Sequence, residues 1–103
     1  MTELIQKHRS DIEQLCIRHR VRKLEVFGSA ADADRFDPQT SDLDFLVEFQ
    51  AMPVEQYADA YFGLLEDLQT LFGRSVDLVM PEAIRNPYFL EKVNQSRKQI
   101  YAA

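Results

Sequence analysis

The chain has 103 residues, 46% of them hydrophobic, with seven Phe and four Tyr, and a formal net charge of −5. That supply of apolar side chains excludes a disordered chain and predicts a single domain over residues 1–103. The acidic balance argues against nonspecific or direct binding to a nucleic-acid backbone. No stretch approaches the roughly 20 apolar residues of a membrane span, so no membrane association is expected. The N-terminus, MTELIQKHRSDIEQL, is amphipathic and mixed in charge, unlike a secretory signal. The single Cys16 has no internal disulfide partner, and a reducing cytoplasm is the expected compartment.

Thr2 is placed to cap a first helix reaching about residue 18, with Leu4, Ile5, His8, Ile12, Leu15, Cys16 and His19 on one stripe. Ser10 and Glu13 offer a rival start in the form of a capping box, but the continuous stripe favours one long helix. His8, His19 and Cys16 read as buried or half-buried helix residues rather than ligands. Residues 23–27 form a first strand that runs straight into Gly28-Ser29, and residues 30–34 suit a short helical turn. Asp37-Pro38-Gln39-Thr40 is a loop, and residues 41–49 form the second strand. Pro53 fits the first turn of a helix over 54–72, marked by Tyr57, Tyr61, Leu64, Leu65, Leu68 and Leu71 and closed at Gly73. Residues 75–80, SVDLVM, make a third strand. Asn86-Pro87 opens a final helix whose apolar marks are Leu90, Val93, Ile100 and Tyr101.

This order predicts an α/β (α+β) fold: a two-layer sandwich with a small mixed sheet and its helices on one face. The opposite face would carry Asp42, Asp44 and Asp77 in the open, beside Leu46 and Val79. Strand side chains alternate, so Asp42 and Asp44 point one way while Leu43, Phe45, Val47 and Phe49 point the other. Two carboxylates about 6–7 Å apart along a strand repel by roughly 2–3 kcal/mol at an effective dielectric near 20. A divalent cation turns that repulsion into coordination. Magnesium suits hard oxygen ligands and completes its shell with substrate phosphates. Two such ions would serve an in-line displacement of pyrophosphate. Gly28 would let a phosphate approach the backbone, and Ser29 would add a hydroxyl and the amides of a helical turn.

The combination of Phe27-Gly28-Ser29, Ser41-Asp42-Leu43-Asp44 and Val76-Asp77-Leu78-Val79 resembles the DNA polymerase beta-like nucleotidyltransferase superfamily. The length is similar to that of its minimal nucleotidyltransferase (MNT) domains. The resemblance implies a polymerase-beta-like nucleotidyltransferase fold, with Asp42, Asp44 and Asp77 as catalytic and metal-binding residues. It implies Gly28 and Ser29 as nucleotide-binding residues, two magnesium ions, and ATP as substrate. Here Ala30-Ala31-Asp32-Ala33 stands where that family usually carries an Ala-Arg-Gly step, and Arg35 is the next basic residue in the loop.

The resemblance further implies a magnesium-dependent protein adenylyltransferase, the antitoxin of a HEPN/MNT toxin–antitoxin pair. Such a protein transfers AMP from ATP to a tyrosine of the HEPN-domain toxin. The alternative is a degenerate MNT protein that neutralises its toxin by binding alone. Leu46 and Val79 on an open face would call for a covering partner, either the toxin or a second copy in a homodimer.

Overall fold

The computed structural model describes residues 2–32, 37 and 42–103. Arg35, Ser41 and the predicted turn at 38–40 lie outside them. Helices α1 (Glu3–Lys7) and α2 (Arg9–Arg18) lead into β1 (Val21–Phe27) and a 3₁₀ turn, Gly28–Ala31. Strand β2 (Leu43–Phe49), helix α3 (Val54–Phe72) and β3 (Val76–Val79) follow. A second 3₁₀ turn (Pro81–Ala83), α4 (Pro87–Ser96) and β4 (Lys98–Ala102) complete the chain.

The sheet runs β3-β2-β1-β4. Strand β1 is antiparallel to both β2 and β4, whereas β2 and β3 are parallel, as their long crossover through α3 requires. The α/β class and the mixed sheet are therefore as expected. On one face, Leu24, Val26, Leu43, Phe45, Val47, Val76 and Leu78 pack with Ile5, Ile12, Cys16, Leu64 and Leu68 of the first three helices. Burial, and then the nearby Glu13 charge, push the Cys16 thiol up to about 12, which suits an inert core position. His19 is largely buried and its Nε2 lies 2.6 Å from Asp67 Oδ2. Among the described residues, neither histidine belongs to a group of three or more side chains that could hold a metal ion.

Three expectations change. The long first helix is broken at His8, whose backbone (φ −101°, ψ 13°) leaves the helical region and serves as the boundary of both short helices. Neither the continuous helix nor a start at Ser10 forms; the break lets Ile5 and Ile12 both bury completely. The final helix stops at Ser96, and Ile100 and Tyr101 lie on β4, with Leu24 opposite Tyr101 and Val26 opposite Lys98. Without β4, the free edge of β1 would present unpaired backbone groups, which the strand satisfies and a helix would not.

The third change concerns the far side of the sheet. Phe27, Leu46 and Val93 form a second buried cluster, with Val79 and Ile84 packed against it. Helix α4 thus docks on the face expected to be open, and Leu46 is only 1% exposed. The expectation that Leu46 and Val79 await a partner is overturned, because Val93 already covers them. An ion pair secures the end of this helix: Arg97 Nε donates to Glu25 Oε2 at 3.0 Å, and a second guanidinium N–H reaches Oε1. Glu25 is 7% exposed, and Arg97 holds its carboxyl below the usual carboxylate range.

That pair contributes stability above the ordinary carboxylate range and loses it as acid protonates Glu25. Arg97→Met should therefore destabilise the protein at neutral pH by about 2 kcal/mol, after allowance for the partly exposed guanidinium, and so lower its melting temperature. The deficit should fade as thermal melts are taken well below pH 4.5, the ordinary value for Glu.

Candidate active site

Strand β1 ends at Phe27, and the chain turns at Gly28 with φ +69°, a left-handed conformation that favours glycine. A Cβ built there would stand 2.8 Å from Asp44 Oδ2. The room that the missing side chain provides is thus taken by a carboxylate. The Gly28 amide is also engaged: it donates to Ser96 Oγ at 3.0 Å, while that hydroxyl can donate to the Lys92 or Val93 carbonyl. Ser29 is half-buried on the 3₁₀ turn, and its carbonyl accepts the Asp32 N–H at 3.1 Å.

Parallel pairing sets Asp44 of β2 level with Asp77 of β3. Adjacent strands lie about 4.8 Å apart, so the two side chains rise side by side from one face. Asp77 and Asp42 are exposed, whereas Asp44 is half-buried under the Gly28 turn. Burial, reinforced by the charge and hydrogen bond of Asp77 and by the charge of Asp42, pushes the Asp44 carboxyl up to about 6. The structure therefore brings Asp44 and Asp77 into contact, with Asp42 acting on Asp44 through its charge.

Among the described residues, no group of three or more His, Cys, Asp or Glu side chains is gathered closely enough to hold a metal ion. The set is not a protein-only cage. A pair of hard carboxylates in mutual repulsion nonetheless fits magnesium, which commonly uses one or two carboxylates and takes its remaining ligands from phosphates and water.

Asp44 and Gly28 line a cavity of about 640 Å³. Its other walls include Asp32 from the turn, Phe89, Lys92 and Ser96 from α4, and Lys98 from β4. Phe89 meets Phe27 edge-to-face at a ring-centroid distance of 6.1 Å. Ser29, Asp42 and Asp77 do not line this cavity. Sequence reasoning missed the α4 wall, although Phe89, Val93 and Ser96 recur at helical spacing.

Residues 5–100 match the sequence profile of the family described as "Nucleotidyltransferase domain". The chain belongs to this nucleotidyltransferase family. A candidate protein adenylyltransferase of Methanocaldococcus jannaschii is 32% identical over 93 residues, 90% of this chain and 87% of the relative. Another protein of that organism with the same designation is 28% identical over 93 residues, with the same coverage. The solved structure of a candidate minimal nucleotidyltransferase aligns with a TM-score of 0.64 at 29% identity, covering 95% of each chain. A chain from a complex of tri-AMPylated Shewanella oneidensis HEPN toxin with MNT antitoxin gives 0.63 at 19% identity. That alignment covers 95% of this chain and 72% of the other, and at such identity the likeness shows the fold alone. Among the described residues of this nucleotidyltransferase, no helix is long and apolar enough to cross a membrane.

Because folding raises the Asp44 pKa to about 6, ionising it costs stability above that value and nothing once it is protonated in both states. Asp44→Asn should therefore raise the melting temperature of the metal-free nucleotidyltransferase at about pH 8 by roughly 5 °C. The gain should shrink as melts are repeated down to about pH 4.

Proposed function

We propose that the chain is a magnesium-dependent protein adenylyltransferase, the antitoxin that transfers AMP from ATP to a tyrosine of a HEPN-domain toxin. The observation that carries this reading is the level pair Asp44 and Asp77, held against their repulsion beside a cavity of about 640 Å³. A charge conflict that packing maintains is a common mark of a functional site. The designation of the Methanocaldococcus jannaschii relatives and the toxin–antitoxin setting of the structural neighbour support the choice of acceptor.

In this reading Asp42, Asp44 and Asp77 hold the magnesium, which when bound neutralises phosphate charge and acts as a Lewis acid. The acceptor oxygen bonds to the α-phosphorus as the bond to pyrophosphate breaks, and one of the three carboxylates assists removal of the hydroxyl proton. The Gly28-Ser29 turn shapes the nucleotide's approach, with Gly28 keeping Asp44 at the cavity wall. In this reading the acceptor comes from another molecule. Tyr88 (78% exposed) and Phe89 (42% exposed) form apolar surface beside the cavity where such a partner would rest.

A second reading, neutralisation of the toxin by binding alone, draws on Asp32, which adds negative charge to the cavity wall. The carboxylates would then pair with basic residues of the toxin.

The intact mass of the toxin, after incubation with this protein, ATP and magnesium, separates the two. The expected outcome is a gain of one or more AMP units, lost with chelator. The Asp42→Asn/Asp44→Asn double variant should be folded yet at least about 100-fold slower, the usual scale for losing charged catalytic groups. A toxin that forms a tight complex but keeps its mass selects the second reading. Transfer at the normal rate by the double variant removes the metal-site assignment.

A further inference from the structure

The chain is acidic, with a net charge of −5, yet the cavity that contains Asp44 is lined by two lysines, Lys92 and Lys98. On the turn side the wall bears Asp32 and Asp44, which repel phosphate. Positive charge on the opposite wall would add to that of a bound cation in drawing in a polyanion. Phe89, Lys92, Val93 and Ser96 stand at positions i, i+3, i+4 and i+7 of α4, one helical face.

Three of these four side chains are fixed. Val93 is buried with Phe27 and Leu46, Phe89 meets Phe27 edge-to-face, and Ser96 accepts the Gly28 N–H. Lys92 remains exposed, and among the described residues no carboxylate pairs with it. Its stem is rooted in a rigid stripe, and an arriving anion breaks no ion pair to reach the ammonium. Lysine supplies a compact point charge suited to phosphate oxygens.

We propose that Lys92 binds the terminal phosphates of a nucleoside triphosphate, and so makes the cavity selective for triphosphates over monophosphates. This rests on the reading of the cavity as a nucleotide site and names the residue that answers the triphosphate charge. With the α-phosphate toward Asp44, the carboxylate that lines the cavity, the α4 wall is left to the departing pyrophosphate. Lys92 is therefore a binding residue for the leaving group.

The test is calorimetric titration of a non-hydrolysable ATP analogue and, separately, AMP, at fixed magnesium, into the wild type, Lys92→Gln, Lys92→Arg and Lys7→Gln. Lys7 is an exposed lysine on α1, outside the cavity. Lys92→Gln should weaken the triphosphate about tenfold, the worth of one charge-assisted hydrogen bond, and leave AMP unchanged. Lys92→Arg should restore most of the affinity, and Lys7→Gln should match the wild type. Equal triphosphate binding by wild type and Lys92→Gln overturns the proposal alone. Equal losses for triphosphate and AMP also overturn it, since Lys92 would then shape the cavity without reading phosphate number. A folded wild type that binds neither nucleotide overturns the nucleotide-site reading and the proposal with it.

Discussion

The parallel register between β2 and β3 places two carboxylates level with each other, and the chain makes this conflict difficult to escape. Leu43 and Phe45, which flank Asp44, are buried opposite Val76 and Leu78, which flank Asp77. A one-residue slip would turn Asp44 toward the core and Phe45 toward water, a far larger cost than the repulsion it relieved. The hydrophobic layer on one face thus enforces the electrostatic strain on the other. Gly28 completes the constraint, because only its missing side chain leaves space for the Asp44 carboxylate. Stability and a poised site are traded against each other along a single strand pair.

Helix α4 turns that strand pair into a cavity. The contacts that hold it differ in chemistry and include the Val93 plug, the Ser96–Gly28 hydrogen bond and the Arg97–Glu25 ion pair. The first excludes water, the second ties the helix to the turn, and the third anchors its end to β1. Each would tolerate some rotation alone. Together they fix which helical face looks inward, and hence which side chains line the space above Asp44.

Much of this was legible in the sequence. The alternation in VDLV and LDFLVEF sets Asp44 and Asp77 on one face, and α3 runs over the residues its apolar spacing and Gly73 indicate. Other features were illegible for definite reasons. Ile100 and Tyr101 continue the helical spacing from Val93, so periodicity alone cannot show that they pair with β1. An amphipathic helix has an apolar stripe but no label for the sheet face it will cover, so the sequence does not tell which side α4 takes. The break at His8 leaves no mark in the hydrophobic stripe, which runs unbroken through it. Gly28 was legible as special, but the group occupying its space is 16 positions further on, beyond any local pattern.

The walls of the cavity are gathered from distant points of the chain: the tie between turn and α4 alone spans 68 positions. During synthesis, the three aspartates leave the ribosome well before Ser96 and Arg97 do. A nascent chain therefore has its carboxylates but neither the wall above them nor the strand that closes the far edge of β1. Non-local closure of this kind is slower than the formation of local structure. The assembled cavity is consequently a property of the finished protein, and a fragment ending before α4 would keep every aspartate while lacking the cavity they serve.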